Sequence, residues 1–495
     1  MKKILVANRG EIALRIMRTC REMSIKTVAV FSEVDRKAPF VLYADEAVCI
    51  GPPPSSASYL DGSKIISAAS KTGSDAIHPG YGFLSENPRF AREVQASGIT
   101  FIGPPPDAIE MMGDKISAKK LAARLNIPLV PGTDHTISDF PEAKKVATGI
   151  GYPVLIKASA GGGGKGMRIV HTEKELRENL ERASSEAKSA FGDGSVFIEK
   201  YIESPRHIEF QVLADSQGNV IHLFERECSI QRRHQKVIEE APSSILTPEM
   251  RRKMGECAVK ITSACGYHNA GTVEFLADEK NNFYFLEMNT RLQVEHPVTE
   301  MITGIDLVRE QINIARGEKL SFRQEELSIK GHAIEARIYA EDPANGFLPD
   351  SGLLKVYRRP AGNGIRVDDG YEEGMEIPVW YDPMIAKLIV HGDNRLRAIE
   401  RMLRALGDFS ISGVSTTIDF CFFVINHPLF RSGKFDTLFI DNHFSPLDNR
   451  PASEEECETA ALLAAWLTVN RTSGFQVQSD NSEERTPWRK RKMYR

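Results

Sequence analysis

The sequence predicts a protein of the α/β and α+β classes, with a parallel sheet in its first part and mixed strands and helices after it. Over residues 1–113, short apolar segments alternate with segments whose apolar residues recur at helical spacing. From residue 114 onward, a glycine cluster and several segments of period-2 alternation change the character of the chain. Strands that alternate with helices indicate a parallel sheet covered on both faces.

The first unit, residues 1–113, supplies the predicted parallel sheet. A strand at residues 3–7 is followed by a turn at 8–10 and a helix at 11–23, in which Ile12, Ile16 and Met23 have helical spacing. Further strands are predicted at residues 27–31, 75–78 and 98–103.

Three segments follow, and the total of 495 residues fits about three domains at ~150 residues each. A second unit spans residues 114–330, and a third spans 331–447. The tail, residues 448–495, opens polar, holds an apolar helix candidate at 460–469 and ends on a basic, aromatic run at 487–495. We predict that this tail docks partner subunits, because aromatic residues and arginine often anchor interfaces. Packing of the helix on the chain's own surface, with a solvated basic end, is an equal alternative.

Bulk composition excludes several classes of protein. The chain is 41% hydrophobic and 26% charged, with a formal net charge of −4, which argues against nucleic acid or an anionic membrane as the main partner. No apolar run is long enough to span a bilayer, and residues 1–7 lack the pattern of a signal peptide. The seven cysteines include no Cys-x-x-Cys pair, which is typical of reduced thiols. We therefore expect a cytoplasmic protein.

A glycine cluster, formed by Gly161, Gly162, Gly163 and Gly164, follows the predicted strand at residues 154–157. A dinucleotide fingerprint would need a helix next, whereas residues 167–170 read as a strand. A glycine-rich loop between two strands is either a flap whose backbone N–H groups approach phosphates or a plain flexible hairpin. The glycines alone leave both interpretations open.

Two lysines favour the phosphate interpretation. Lys115 and Lys157 carry the point charge that suits phosphate, although each taken singly is more often a solvated surface lysine. Lys157 lies within an apolar strand, where an unpaired charge is costly. We therefore expect an anionic partner for it.

A predicted antiparallel hairpin carries two carboxylates and an amide. Glu287 and Asn289 are two residues apart, and Glu274 on the partner strand can join them. Such oxygen ligands suit magnesium, which nucleotide phosphates then help to hold. We expect Phe283 and Phe285 to share this face, which disfavours the alternative of a solvated strand face.

The segment after the hairpin holds a second polar set. If residues 290–297 stay extended, Arg291, Gln293 and Glu295 point the same way. A guanidinium suits a bidentate oxyanion such as bicarbonate, and a neighbouring carboxylate suits general-base work on it. The alternative is a structural salt bridge between Arg291 and Glu295.

At these residues the chain resembles the biotin carboxylases, the ATP-grasp components of biotin-dependent carboxylases. The resemblance covers nearly all of residues 3–444, and it is carried by the runs 7–13 (ANRGEIA), 78–87 (HPGYGFLSEN), 231–236 (QRRHQK) and 287–297 (EMNTRLQVEHP). It implies a Rossmann-like N-terminal domain, an ATP-grasp domain and a mixed C-terminal biotin carboxylase domain. It also implies ATP and Mg²⁺ or Mn²⁺ as cofactors, and bicarbonate as substrate.

The resemblance implies a role for each site residue. Three residues would hold the metal: Glu274, Glu287 and Asn289. Bicarbonate would be gripped by Lys236, Arg291, Gln293 and the Val294 backbone, with Glu295 as its base. Arg337 would stabilise the biotin enolate, and Tyr81 would lie near the ureido ring. The nucleotide would contact Lys115, Lys157, the four glycines, Met167, Glu199, Lys200, Ile202, His207, Gln231 and His234.

Departures from the longer family members define the expected partners. The chain holds neither a biotinylation sequence nor an acyl-CoA-binding transferase region. The resemblance therefore implies a separate biotin carboxyl carrier protein, a separate carboxyltransferase and a homo-oligomer.

Residues 339–343 (YAEDP) and 381–388 (YDPMIAKL) resemble the acyl-CoA and pyruvate carboxylase branch. We expect the biotin carboxylase component of an acetyl-CoA or propionyl-CoA carboxylase, with a link to fatty acid synthesis. The biotin carboxylase component of a two-subunit pyruvate carboxylase and another bicarbonate-phosphorylating ATP-grasp ligase are the alternatives. A catalytically silent ATP-binding protein is disfavoured by the intact polar set.

Overall fold

The computed structural model describes residues 1–137, 139–159, 167–233, 235–278, 280, 282–445, 458–459 and 461–466. The chain divides into two compact units, Met1–Phe444 and Ser445–Arg495. In the second unit, residues 458–459 and 461–466 are helical, within and just before the predicted tail helix. The rest of the predicted tail, with its basic end, lies outside the described residues. No helix in the described part is long and apolar enough to cross a membrane.

The predicted parallel sheet forms the N-terminal part of the first unit. Its strands run in the order β3-β2-β1-β4-β5, and all four pairings are parallel. The strands are β1 (Lys3–Val6), β2 (Lys26–Ser32), β3 (Glu46–Gly51), β4 (Ala76–His78) and β5 (Thr100–Phe101). The helices are α1 (Gly10–Glu22), α2 (Pro39–Tyr43), α3 (Gly62–Thr72), α4 (Pro88–Ala96) and α5 (Pro106–Gly113).

Both faces of this sheet are covered by helices. Ile4 of β1 packs in one core cluster with Ile12 of α1, whereas Leu5 packs in another with Ile65 of α3 and Val94 of α4. Successive strand side chains point to opposite faces, so the continuous apolar run of β1 serves two cores. This confirms the predicted parallel sheet.

A small sheet follows in the order β7-β6-β8, with antiparallel pairs. It comprises β6 (Val154–Ala158), β7 (Arg168–Val170) and β8 (Val196–Lys200), and it is accompanied by α6 (Lys115–Arg124), α7 (Phe140–Ile150) and α8 (Glu173–Phe191). The glycine cluster lies between the paired strands β6 and β7, outside the described residues. The strands that flank it agree with the sequence prediction.

The largest sheet has eight antiparallel strands in the order β13-β12-β9-β10-β11-β14-β21-β19. It joins strands from both sides of residue 330. The predicted boundary there, like the other domain boundaries, stays a prediction. From the earlier part come β9 (Arg206–Ala214), β10 (Val220–Arg232), β11 (Gln235–Ala241), β12 (Asn269–Ala277) and β13 (Phe283–Asn289), with α9 (Pro248–Ala264), α10 (His296–Thr303) and α11 (Leu307–Ala315).

The later part adds the remaining strands and packs helices on the far side of the sheet. Its elements are β14 (His332–Tyr339), β15 (Glu341–Asp342), β16 (Leu348–Pro349), β17 (Gly352–Leu353), β18 (Val356–Arg358), β19 (Ile365–Asp369), β20 (Glu376–Ile377), β21 (Met384–Gly392), α12 (Arg395–Asp408), β22 (Ser410–Ser412), α13 (Ile418–Asn426), α14 (Pro428–Arg431) and α15 (Phe439–His443). Ala336 and Leu388 face α12 in one large core. The opposite face of these strands carries Glu335, Arg337 and Lys387 beside a small apolar cluster that includes Ala333 and Ile389.

Candidate functional site

One row of charged residues crosses four strands of the large sheet. Arg226 on β10 lies opposite Glu209 on β9, which lies opposite Glu274 on β12, which lies opposite Glu287 on β13. Arg226 and Glu209 have no exposed surface, and their Nε and Oε1 atoms are 2.5 Å apart. Buried charges must be paired, so the row is an ordered polar layer.

A register shift places the hairpin carboxylates on this layer. Glu274 pairs with Glu287, but the next residue, Phe275, pairs with Phe285, so Leu286 is an extra residue on β13. The extra residue reverses the alternation of side chains at that point. Phe285 therefore points into the apolar core with Phe275, away from the carboxylates. The prediction that the two phenylalanines share a face with Glu287 and Asn289 is wrong.

The bulge nevertheless brings the three predicted metal-binding residues together. Asn289 Nδ2 donates to Glu274 Oε1 over 2.8 Å, and Glu287 lies directly across from Glu274. Burial and the neighbouring Glu274 raise the pKa of Glu287. Glu287 has no ion-pair partner among the described residues. Two facing carboxylates and an amide oxygen suit a hard divalent cation, so these residues fit Mg²⁺ or Mn²⁺.

Lys236 on β11 binds three carboxylates at once. Its Nζ lies 2.6 Å from Glu209, 2.8 Å from Glu274 and 2.7 Å from Glu295. Although burial opposes its charge, these three neighbours raise the pKa of Lys236 well above its usual value. Lys236 is therefore the central cation of the site.

The segment after β13 is not extended, contrary to the sequence prediction. Strand β13 ends at Asn289, and Glu295 is the residue that precedes helix α10. Arg291 Nε donates to Glu86 Oε2 over 2.9 Å, so the alternative salt bridge from Arg291 to Glu295 is not formed. Gln293 Nε2 donates to Glu274 over 2.9 Å. The predicted groups still converge, because the chain turns toward the large sheet.

Glu295 lies between two cations. Its Oε1 binds Lys236, and its Oε2 lies 3.0 Å from the NH2 nitrogen of Arg337 on β14. Although burial opposes ionisation, Lys236 and Arg337 hold the pKa of Glu295 well below its usual range. The same Arg337 nitrogen is 2.6 Å from Glu239.

Tyr81 lies at the N-terminal edge of this cluster. Its hydroxyl donates to Glu11, which also pairs with Lys387 at 3.1 Å. Lys387 Nζ donates to the Val294 carbonyl over 2.9 Å, which fixes the backbone next to Glu295. The Tyr81 ring thus reaches the Arg337 neighbourhood from a separate sheet.

Some of the residues predicted to bind nucleotide lie around Glu199 on β8. Lys157 Nζ lies 2.7 Å from Glu199 Oε2, which confirms the expected anionic partner. Lys119 binds the other oxygen, Oε1. Although burial opposes ionisation, these lysines lower the pKa of Glu199 to about 2. Burial lowers the pKa of Lys115, while the nearby carboxylates of Glu287 and Glu199 act to raise it. Lys115 therefore connects the lysine cluster, which consists of Lys115, Lys119 and Lys157, to the predicted metal-binding residues.

The remaining predicted nucleotide contacts vary in their placement. His207 joins the two regions, with Nε2 3.0 Å from Glu274 and Nδ1 2.9 Å from Gln231 Nε2. The Lys200 Nζ donates to the carbonyl oxygens of residues 151 and 152 and is engaged there. Ile202 and Met167 are half-buried. Gly161, Gly162, Gly163, Gly164 and His234 lie outside the described residues.

The sequence analysis did not predict several residues of the site. Glu86 lies within the quoted run 78–87 but was assigned no role. Glu209 had a readable signal, because His207, Glu209 and Gln211 alternate with apolar residues along β9. The remaining omissions, Lys119, Arg226, Glu239 and Lys387, have no local signal, because their partners are distant in sequence.

The arrangement can perform phosphoryl transfer to an oxyanion. Lysines and a set of carboxylates and an amide lie in one region, and Arg291, Gln293 and Lys236 lie in the next. The Glu295 carboxylate lies between Lys236 and Arg337. Positioning of this kind, with charge neutralisation, supplies most of the catalysis in phosphoryl transfer.

Comparison with known proteins agrees with this geometry. Residues 1–109 match the family described as "Biotin carboxylase, N-terminal domain", and residues 335–442 match "Biotin carboxylase C-terminal domain". Residues 114–323 match "Carbamoyl-phosphate synthase L chain, ATP binding domain".

Three proteins illustrate the similarity. A pyruvate carboxylase subunit of Methanothermobacter thermautotrophicus is 58% identical over 478 residues, covering 96% of this chain and 97% of that protein. The propionyl-CoA carboxylase alpha chain of Ruegeria pomeroyi is 50% identical, covering 98% of this chain and 75% of that one. The biotin carboxylase domain dimer of Hydrogenobacter thermophilus 2-oxoglutarate carboxylase, solved with MgADP and bicarbonate, has 53% identity and a TM-score of 0.86. That similarity covers 89% of this chain and 97% of the solved one.

Proposed function

The chain belongs to the biotin carboxylases, the ATP- and magnesium-dependent ligases that carboxylate biotin on a carrier protein, and from this premise we propose its residue roles and its acceptor. The observation that carries the proposal is the contact of Glu295 with both Lys236 and Arg337. One carboxylate thereby links the group proposed to bind bicarbonate with the group proposed to bind biotin.

ATP binds, in this proposal, across the lysine cluster and the hairpin. Lys157 exchanges Glu199 for phosphate when the nucleotide enters, and Lys115 binds phosphate from the opposite side. The glycine cluster, which lies outside the described residues, would supply backbone N–H groups to the phosphates. Glu274, Glu287 and Asn289 hold the metal, which neutralises charge on the phosphate oxygens when bound.

Bicarbonate lies between Arg291, Gln293, Lys236 and the Val294 backbone. Glu295 removes its proton, which makes the bicarbonate oxygen nucleophilic toward the γ-phosphoryl group. The low pKa of Glu295 keeps its carboxylate ionised at neutral pH. The product is carboxyphosphate, which breaks into CO₂ and phosphate.

Biotin enters on the side of Tyr81 and Arg337. The released phosphate removes the proton from biotin N1′, and Arg337 opposes the negative charge that develops on the ureido oxygen. Carbon dioxide then adds to N1′. A separate carrier protein delivers the biotin, and a separate carboxyltransferase uses the carboxybiotin.

For the final acceptor, we propose a 2-oxo acid, with this chain as the biotin carboxylase component of a two-subunit pyruvate carboxylase. The support is the near end-to-end similarity to a pyruvate carboxylase subunit of about the same length. Acetyl-CoA or propionyl-CoA, the acceptor expected from sequence, is the second candidate, because a propionyl-CoA carboxylase chain matches 98% of this one. We also propose that the chain forms a homo-oligomer and that it acts in the cytoplasm.

Two measurements test the activity and the acceptor. Purified chain is expected to cleave ATP only with bicarbonate and Mg²⁺, and faster with free biotin. Indifference to bicarbonate would refute the site roles, and indifference to biotin would favour another bicarbonate-phosphorylating ligase. The copurified complex is then offered pyruvate, acetyl-CoA and propionyl-CoA with labelled bicarbonate. Label in oxaloacetate supports the pyruvate carboxylase, whereas label in malonyl-CoA or methylmalonyl-CoA supports the second candidate.

A further inference from the structure

Two buried glutamates face each other behind Arg337. Glu239 on β11 and Glu335 on β14 are direct partners in the antiparallel pairing of these strands. Directly opposite residues have Cβ atoms about 5 Å apart, within reach of two glutamate side chains. Neither residue has any exposed surface. The next strand places Ile389 beside Glu335, so the pair is also dry on that side.

Their carboxylate oxygens lack hydrogen-bond donors. Glu239 Oε1 accepts from Arg337 Nε over 2.7 Å, but Glu239 Oε2 and both oxygens of Glu335 are buried without a donor among the described residues. The nearby cation Lys387 is already engaged, by Glu11 and by the Val294 carbonyl. Three oxygens of the two facing carboxyl groups therefore have no hydrogen-bond donor in the described part of the chain. A hydrogen atom between the two groups would supply one.

Two ionised carboxylates cannot both remain in this position. An isolated buried carboxylate is too costly, and such a group becomes neutral instead. Where two carboxylates share a site, one of them keeps its proton. A protonated Glu335 would donate its hydrogen atom to Glu239 Oε2, which gives two of the three oxygens a partner and leaves a single negative charge facing Arg337.

We propose that Glu239 and Glu335 share one buried proton and act as a positioning pair that holds Arg337 for the biotin step. The proposal rests on the proposed role of Arg337 in that step. Glu239 orients the Arg337 guanidinium through the 2.6 Å contact. Glu335 holds the proton, so the pair carries one negative charge rather than two.

The electrostatic surroundings agree with this assignment. Burial raises the pKa of Glu335 well above its usual value and raises that of Glu239 to about 7, with Arg337 opposing both rises. The Glu335 carboxyl has the weaker attachment to Arg337 and therefore keeps the proton. Four charged groups face the pair. They are Arg337 on β14, Lys387 on β21, Lys236 on β11 and Glu295 at the start of α10.

Loss of this proton is expected to slow the biotin step. The pKa of Glu335 is raised well above its usual value, so its proton is bound at neutral pH and is lost only as pH rises through that raised pKa. The second negative charge then binds Arg337 more strongly and reduces its attraction for the developing charge on biotin. ATP cleavage without biotin develops no charge on the ureido oxygen, so it should change less than biotin carboxylation.

Infrared spectroscopy tests the proton directly. With ¹³C-labelled glutamate, the wild-type chain at pH 7 is expected to show the C=O stretch of a buried protonated carboxylic acid, which disappears in Glu335→Gln. Glu310→Gln is the matched control, because Glu310 is a buried carboxyl on α11 away from this pair. Absence of the band in wild type, or its persistence in Glu335→Gln, overturns the proposal whatever the activity of the enzyme.

The pH dependence of turnover tests the positioning role. Glu335→Gln keeps a neutral, hydrogen-bonding side chain, so it should fold and retain its rate at pH 7 within about threefold. Its alkaline limit for biotin carboxylation should move up by about one pH unit or more. Glu239→Gln should lower kcat for biotin carboxylation by roughly 10–100-fold, as misplacement of a reacting group does, with little change in biotin-independent ATP cleavage. Identical pH profiles in wild type and Glu335→Gln, or equal losses of both reactions in Glu239→Gln, overturn the role.

These outcomes are separate from those of the proposed function. If Arg337→Ala does not depress biotin carboxylation more than ATP cleavage, the role of Arg337 fails while the infrared band can still be present. If the band is absent while Arg337→Ala behaves as expected, only the shared proton is refuted.

Discussion

At the scale of single residues, Lys236 shows how the site stores charge before substrates bind. Its ammonium group contributes to the charge balance of three buried carboxylates, those of Glu209, Glu274 and Glu295. A divalent cation held by Glu274, as proposed, would take over part of this charge compensation. Lys236 is then available for an anion, so metal and bicarbonate binding should reinforce each other.

The proposed role of Glu295 as base leads to a prediction for Glu295→Gln. The amide keeps the size of the side chain but cannot accept the proton of bicarbonate. We expect ATP binding to persist and turnover to fall by ~10²–10⁴-fold, the usual effect of removing a general base. Bicarbonate-dependent ATP cleavage measures the effect, and Glu325→Gln on the exposed surface serves as control. A near-wild-type rate would leave Glu295 with only a structural role.

Glu199 gives a prediction for stability and pH. Its pKa is lowered from 4.5 to about 2, so its stabilising contribution is present above its ordinary pKa and is lost as pH falls toward 2. That shift corresponds to roughly 3 kcal/mol. The thermal midpoint of Glu199→Gln should lie furthest below that of wild type above about pH 5, and the gap should narrow in acid. A gap that stays constant from pH 7 to pH 3 would contradict this linkage.

At the scale of elements, the bulge in β13 decides where the hairpin carboxylates point. One extra residue, Leu286, separates a core-facing half, with Phe285, from a site-facing half, with Glu287. The same strand thereby serves the hydrophobic core and the polar layer. Bulges often redirect side chains next to active sites in this way.

Insertion of one alanine between Glu274 and Phe275 tests this function of the bulge. The inserted residue would give Leu286 a partner and make the pairing regular, which would turn Glu274 and Glu287 to the other face of the hairpin, because a one-residue shift moves side chains to the other face. We expect Mg²⁺-dependent ATP cleavage to be lost, while deletion of Leu286, which makes the pairing regular but leaves Glu287 opposite Glu274 on the face away from Phe285, retains the metal response. Titration of Mn²⁺ by electron paramagnetic resonance measures binding in both variants. Unchanged Mn²⁺ affinity after the insertion would show that the bulge does not position the ligands.

At the scale of the whole molecule, one sheet unites the groups for the two proposed half-steps. Lys236 and Glu274 lie on strands that precede residue 330, whereas Arg337 lies on β14, which follows it. Because β11 and β14 are hydrogen-bonded neighbours, the distance from Lys236 to Arg337 is set by the sheet. A rigid scaffold of this kind suits two reactions that must share one intermediate.

The tail gives the prediction at this scale. We expect truncation after Pro446 to leave free-biotin carboxylation intact and to weaken copurification with the carrier or the carboxyltransferase. The reason is the concentration of apolar and basic residues in residues 460–495, which is typical of interface anchors. A truncated chain that assembles with its partners at full affinity, or that unfolds, would refute docking by the tail.

The sequence by itself determined the family, the fold class, the hairpin and the identity of most polar groups in the site. These follow from local signals: apolar spacing along β1 and α1, period-2 alternation along β9, and long runs such as residues 287–297. Local signals specify which element a residue belongs to, because that depends on its neighbours in the chain. They could not specify the direction of Phe285, since one bulged residue changes the face without changing the pattern.

Only the tertiary structure decided which charges are paired. Glu86 binds Arg291, Lys119 binds Glu199 and Glu239 binds Arg337, each across a long stretch of sequence. The facing of Glu239 and Glu335 likewise depends on the register of two strands that are far apart in the chain. Burial and charge balance arise only when the sheet is assembled, because the free energy of a buried charge depends on neighbours that the sequence does not place beside it.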